Sequence, residues 1–285
     1  MPEQYIVKDR LIDLHTHSTA SDGSMTPAEL IRHAYEKGLA AVAVTDHDSM
    51  DGIEQALDEG RKLGIEVIAG VEISVDFDPE MHLLGYFFNG HYEPILKSLE
   101  KLRLMREQRN PKIIRKLNEL GFDITMEEVN EKAGGVNVGR PHIARTLVDK
   151  GYVGSIAEAF EKYLSAGKPA YFKKDKLTPE EGVALIAKSG GVPVLAHPIY
   201  LDMAGIDLER LLPRLKAAGL KGIEAIYSEN SEEQTAKLLE LAEVNGLAVS
   251  GGSDFHGSFK PHIEIGIGRG SLRIPYELLD RLKRE

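Results

Sequence analysis

Cysteine and tryptophan are both absent from this 285-residue chain. Without cysteine there can be no disulfide framework, thiolate zinc site or cysteine nucleophile, so any metal must be held by histidine and carboxylate. Aromatic residues make up 6% of the chain, too few for a long base-stacking platform along a single strand. Basic charge is in deficit: 35 lysines and arginines stand against 45 aspartates and glutamates, a net charge of -10. That balance argues against sequence-blind duplex DNA binding, which needs a basic face, yet leaves room for a small anion in a local basic pocket. No apolar run approaches the ~18 residues of a membrane span. The N-terminal Met-Pro-Glu-Gln-Tyr has no basic region leading into an apolar core. Neither a membrane segment nor a secretory signal is therefore expected, and the expected location is cytoplasmic.

What is present is a rhythm. Apolar strand candidates at 11–15, 40–45, 67–75, 82–88, 192–196, 222–226 and 248–251 alternate with amphipathic helix candidates at 27–37, 50–63, 178–189, 207–218 and 232–245. Thr26-Pro27 and Thr178-Pro179 each read as an N-cap followed by proline at the first helical position. Continuous apolar strands in β-then-α order predict a parallel sheet closed, or nearly closed, into a barrel. Residues 92–168 break the rhythm. They read as helix almost throughout (93–120, 126–132, 140–150, 156–164), which predicts a helical insertion at one barrel loop. The expected organisation is a barrel domain of residues 1–91 and 169–285, with 92–168 forming a substrate-binding lid, since such loops carry the site in barrels of this kind.

Metal-binding residue types recur at the strand ends. His15 and His17 lie two apart, so on a strand both imidazoles share a face, and Asp22 follows in the next turn. His47, Glu72 and His197 each sit at the end of an apolar run, His82 opens the run His82-Leu83-Leu84-Gly85-Tyr86, and Asp254 and His256 form a second pair two apart. One such element is a weak signal. Together they place six of the ten histidines at strand C-termini, where barrel enzymes keep their chemistry. Burying so many ionisable groups without a partner is costly, and metal ions are the natural compensation. This number of ligand-type groups exceeds what one ion uses, so two or three divalent ions are expected. Mixed nitrogen and oxygen donors suit manganese first, with iron or zinc as alternatives. Asp46 is expected to orient a histidine and Asp48 to cap a helix. Gly266 to Gly270 reads as a turn rather than a phosphate loop, and Arg269 within it is only a candidate neighbour of the site.

These residues resemble the polymerase-and-histidinol-phosphatase (PHP) family over nearly the whole chain. The resemblance is carried by Asp13-Leu14-His15-Thr16-His17, Ser21-Asp22-Gly23, Thr45-Asp46-His47, Gly70-Val71-Glu72, His82-Leu83-Leu84-Gly85, Ala196-His197-Pro198 and Ser253-Asp254-Phe255-His256. It implies an α/β fold, a distorted (β/α)7 TIM-like barrel, with a trinuclear centre. His15, His17, Glu72 and Asp254 would hold one ion. Glu72, His82 and His197 would hold a second, with Glu72 bridging, and Asp22, His47 and His256 a third. Catalysis would rest on Glu72, Asp254 and His197. Within the family the chain is similar to 3′,5′-nucleoside bisphosphate phosphatases and to ribonucleases that trim short RNA from its 5′ end. That likeness rests partly on Gly139-Arg140-Pro141-His142 and Gly167-Lys168-Pro169 in the insert, and implies phosphate contacts from Arg140, His142 and Lys168.

The expected reaction is phosphomonoester hydrolysis by a hydroxide bridging two ions. The expected partner is a small phosphorylated nucleotide, or a short RNA if the chain is instead a 5′-3′ exoribonuclease. A histidinol-phosphate phosphatase is disfavoured by the insert. A non-catalytic, metal-stabilised module is disfavoured by the complete ligand set.

Overall fold

Strands form here in segments dominated by β-branched and other apolar residues. The computed structural model describes residues 10–133, 138–172 and 177–285. Its strands are β1 (Ile12–Asp13), β2 (Ala41–Val44), β3 (Glu66–Val75), β4 (Met81–Phe87), β5 (Val192–Leu195), β6 (Gly222–Tyr227) and β7 (Ala248–Gly252). They make one seven-stranded sheet in sequence order. Every residue of β2 and β6 is buried, as befits strands covered on both faces.

The all-parallel expectation needs one correction. β4 runs antiparallel to both β3 and β5. Only residues 76–80 separate β3 from β4, far short of the dozen or more that a parallel crossover needs, so the two must form a hairpin. The other neighbouring pairs are parallel. The sheet nearly closes into a distorted barrel. Leu14 N–H donates to Gly251 C=O at 3.1 Å, Asp254 N–H to His15 C=O at 2.9 Å, and His17 N–H to Phe255 C=O at 2.9 Å. Gly252 permits that approach: a Cβ there would lie 2.1 Å from the Cβ of His15.

The helices are α1 (Pro27–Glu36), α2 (Ile53–Leu63), α3 (Glu93–Glu119), α4 (Met126–Ala133), α5 (Arg140–Asp149), α6 (Ile156–Ala159), α7 (Pro179–Lys188), α8 (Ile199–Met203), α9 (Leu208–Ala218), α10 (Glu232–Asn245) and α11 (Glu277–Leu282). Thr26 and Thr178 cap α1 and α7 in capping boxes with Glu29 and Glu181, proline standing in the first turn of each. This is the arrangement those dipeptides predict.

The chain divides into two compact units, Met1–Lys97 with Lys176–Glu285, and Ser98–Asp175. The first holds the sheet. The second is helical, with its own core of fully buried Ile113, Leu117, Ile124, Val129, Ile143 and Leu147. A single turn of π-helix, Phe160–Leu164, extends α6 within it.

Candidate metal centre

Five strands deliver ligand-type side chains to one rim of the barrel. His15 and His17 follow β1, His47 follows β2, Glu72 lies in β3, His197 follows β5, and Asp254 and His256 follow β7. His82 stands instead at the start of its strand, which corrects the expectation that every histidine of the set lies at a strand C-terminus. Because β4 is reversed, its beginning lies on the rim where its neighbours end: His82 is opposite Ser74, two residues beyond Glu72.

Glu72 is the centre of the arrangement, and its two oxygens face different partners. Oε2 lies 3.3 Å from His15 Nε2, 3.3 Å from His17 Nε2 and 3.0 Å from His47 Nδ1. Oε1 lies 2.9 Å from both His82 Nδ1 and His197 Nε2. Asp254 Oδ1 closes the first group, 3.2 Å from His17 Nε2 and 3.7 Å from His15 Nε2. Asp22 brings a third cluster together, within 3.5–3.8 Å of His256, His17 and His47. Three sets of donor atoms lie within 4.8 Å of one another: His15, His17 and Glu72; His47, Glu72 and His82; and His17, Asp22, His47 and His256. His47 thus joins two sets, presenting one ring nitrogen to Glu72 and the other to Asp22.

The donor atoms fit divalent cations. His15 Nε2, His17 Nε2, His47 Nδ1, His82 Nδ1 and Glu72 Oε2 are all buried, and although these nitrogens lie 2.9–3.3 Å from a Glu72 oxygen, none of the five atoms makes a well-directed hydrogen bond. Leaving a buried polar atom unpaired costs about 1–3 kcal/mol, and here five such atoms converge. Their electrostatics follow from that crowding. Burial alone would discharge His47, but the facing Glu72 and Asp22 carboxylates outweigh it and push the ring up to about 10. His17, buried and beside His256 and His47, is driven down to about 3. Burial opposes ionisation of Glu72, yet the His47, His15 and His82 rings hold it well below the usual carboxylate range. Cations entering this centre must displace protons from the raised imidazoles.

Behind the rings stand groups that the sequence reading missed. Glu224 is fully buried. Its Oε1 accepts from His15 Nδ1 at 2.9 Å and its Oε2 from His197 N–H at 2.7 Å. A proton on Nδ1 leaves the Nε2 lone pair of His15 facing Glu72. Asp13 accepts from the N–H groups of His15, Ser253 and Gly266, tying β1 to the segments after β7. Burial pushes Asp13 up to about 6, against those hydrogen bonds. Both acids were visible as lone charges inside apolar strands. Asp254 Oδ2 accepts from Tyr227 Oη at 2.9 Å and from Lys260 Nζ at 2.7 Å. Asp46 is engaged by Ser18 and Ser21 rather than by a histidine ring. Asp48 does not cap α2, whose N-cap is Gly52. Its carboxylate accepts Ser74 N–H at 3.0 Å and its own N–H donates to Glu72 C=O at 2.8 Å.

Among the described residues the non-glycine positions with positive φ are Asp48 (49°), His197 (27°) and Asp254 (58°). Each costs on the order of 1–3 kcal/mol and persists only where surroundings over-determine it. The hydrogen bonds to Glu72, Ser74, Glu224 and His15 do so here.

In the helical unit Arg140 and His142 open α5. Arg140 donates to Leu164 C=O at 3.0 Å, its guanidinium 5.6 and 5.7 Å from the ring centres of Phe160 and Tyr171. His142 Nδ1 accepts Gly139 N–H at 3.1 Å. Lys168 is exposed in the turn after the π-helix.

The PHP-domain pattern matches residues 13–188. The chain belongs to the PHP family. It is 35% identical to a 5′-3′ exoribonuclease of Haemophilus influenzae, over 86% of this chain and 89% of that one. It is also 35% identical to a 3′,5′-nucleoside bisphosphate phosphatase of Chromobacterium violaceum, over 86% and 87%. A solved metal-dependent phosphoesterase structure from Bifidobacterium adolescentis aligns with a TM-score of 0.81 at 29% identity, covering 97% of this chain and 96% of that one. This PHP chain is a metal-dependent phosphoesterase, a hydrolase of ester bonds, and its His/Asp/Glu clusters are able to bind metal. No described helix is long and apolar enough to cross a membrane.

Proposed function

We propose that this PHP chain hydrolyses phosphomonoesters, with the 3′-phosphate of nucleoside 3′,5′-bisphosphates as its substrate, using two to three divalent ions. The observation that carries the reading is the division of Glu72: Oε2 faces His15, His17 and His47 while Oε1 faces His82 and His197. One carboxylate shared in this way suits adjacent cations. In this reading His15, His17, Glu72 and Asp254 hold one ion, Glu72, His82 and His197 a second, and Asp22, His47 and His256 a third. Manganese is the favoured metal, with iron or zinc as alternatives.

Bound cations supply acidity that makes water a nucleophile at neutral pH, and charge that offsets the phosphoryl oxygens. The chain's own residues fix the donors. Glu224 sets the His15 tautomer and grips the backbone of His197. Tyr227 and Lys260 hold Oδ2 of Asp254, which leaves Oδ1 toward the imidazoles. Arg140, His142 and Lys168 contribute phosphate contacts from the helical unit, in the roles expected from the sequence.

The bisphosphate assignment is supported by the likeness to the Chromobacterium enzyme. Relatives named 5′-3′ exoribonucleases at similar identity favour a second reading, trimming of short RNA. The test is a panel of nucleoside 3′,5′-bisphosphates, nucleoside monophosphates and 5′-phosphorylated oligoribonucleotides, assayed with manganese. The bisphosphates should give the highest kcat/KM. A higher value on oligonucleotides would favour the second reading, and no hydrolysis of any member would sink both.

A further inference from the structure

A cavity of about 340 Å³ opens beside the metal centre, lined by His47, Glu72, His82 and His197 and, on the opposite chemistry, by Lys260. Lys260 is the single ammonium among its described lining residues, whose carboxylates are Glu72, Glu80 and Asp254. Its Nζ spends one N–H on Asp254 Oδ2, at 2.7 Å. An ammonium has three donors, so two remain for a ligand in the cavity. The side chain is 38% exposed, against 10% for Asp254, so it is open to that ligand while anchored at the carboxylate.

The segment that carries Lys260 is fixed rather than loose. It follows a short 3-10 turn, Gly257–Phe259. Gly257 has φ +65°, and a Cβ there would lie 2.1 Å from Ser24 Oγ. The same Ser24 Oγ accepts Ser258 N–H at 2.8 Å, and Ser24 N–H donates to His256 C=O at 3.1 Å. Lys260 is therefore held in register with His256 and Asp254 by contacts on both sides of the turn. A cation positioned before the ligand arrives loses little by reorganising, which is what makes a fixed charge effective against a phosphoryl group.

We infer that Lys260 is a phosphoryl-binding residue of this site: its ammonium bridges Asp254 and a non-bridging phosphoryl oxygen of the substrate. The inference rests on the phosphomonoesterase reading above and adds a residue to it. Asp254 holds the lysine; the lysine holds phosphate.

The experiment compares wild type, Lys260→Met and Lys260→Arg, each loaded with manganese. Inorganic phosphate is titrated calorimetrically, metal content is measured by elemental analysis, and Tm is recorded. Lys260→Met should weaken phosphate binding roughly 10- to 100-fold, the range of one charge-assisted hydrogen bond. Its kcat/KM on an aryl phosphate should fall by a similar factor. Manganese content should match wild type, and Lys260→Arg should recover part of the loss. Unchanged phosphate affinity in Lys260→Met overturns the inference. So does a loss of manganese that accounts for the whole effect, because Lys260 would then serve only to position Asp254. If Lys260→Met is unfolded by Tm, the arginine variant decides: phosphate binding within twofold of wild type supports a cationic contact, and loss of manganese with it refutes one. Phosphate titration needs no turnover. A wild type that binds phosphate but hydrolyses no bisphosphate therefore sinks the substrate reading alone, and one that binds no phosphate sinks the role of Lys260.

Discussion

Replacing Glu224 with Gln is the most discriminating single perturbation of the metal centre, because it keeps the shape and removes one acceptor. Both oxygens of Glu224 are in use, at 2.9 Å from His15 Nδ1 and 2.7 Å from His197 N–H, and the residue is fully buried. A glutamine offers one acceptor and one donor. If the amide oxygen serves His197, the amide nitrogen meets His15 Nδ1 and drives its proton to Nε2, the atom aimed at Glu72. If the oxygen serves His15, the amide nitrogen meets the backbone N–H of His197, a residue already at φ 27°. The first outcome removes a lone pair from the metal centre. The second leaves a buried donor unsatisfied, at about 1–3 kcal/mol. Loss of such a supporting acceptor typically weakens metal binding 10–100-fold, which is about 1.4–2.7 kcal/mol. Manganese affinity should therefore fall by that factor in a metal-buffered titration, and Tm of the metal-free protein should also fall if the second outcome prevails. Affinity within twofold of wild type would refute the claim that Glu224 sets the His15 tautomer.

Glu72→Gln should lose more metal than any variant of a single histidine, because one carboxylate faces both halves of the centre; elemental analysis showing one ion lost, as for His82→Ala, would remove the bridging assignment. Arg140→Ala should lower kcat/KM on a nucleoside 3′,5′-bisphosphate by about 10- to 150-fold, equivalent to ~1.5–3 kcal/mol. The loss on an aryl phosphate, which has no second phosphate, should be smaller, and equal losses on both would count against a specificity role. Gly252→Ala should give a protein with little bound manganese or little soluble yield, since its Cβ would fall 2.1 Å from that of His15; a metal-replete, folded variant would show that β1 and β7 can move apart.

Much of this was legible in the residues. Periodicity gave the strands and helices because parallel strands must be apolar along their length, and capping chemistry placed the starts of α1 and α7. The nine ligand-type groups were legible because histidine at the end of an apolar run is an expense that needs a reason. The reversal of β4 was missed. An apolar run carries no arrow, and only the short 76–80 connection betrays the direction. Glu224 and Asp13 were missed because each is one charged residue in a run otherwise read for its apolar character. Asp48 was misplaced because its side chain can serve a helix or a neighbouring strand equally well by local sequence, and the long β3 settles the competition by presenting Ser74 N–H. Lys260 carried no sequence signal at all; its contact with Asp254 and its place in the cavity lining distinguish it from any surface lysine.

The β3–β4 hairpin has a consequence for how the centre assembles. Glu72 and His82 belong to adjacent strands joined by a five-residue connection at 76–80, so closing that loop costs little chain entropy. The opposite side depends on contacts such as Asp13 with Ser253, 240 residues apart, among the most non-local in the chain and the slowest kind to form. Glu72 and His82 can thus be in place while the barrel is still open, and the donor set is complete only when the two ends of the sheet meet. A cation shared between Glu72 and the histidines of β1 would then act as a clasp on the seam, making the last step of folding dependent on metal supply.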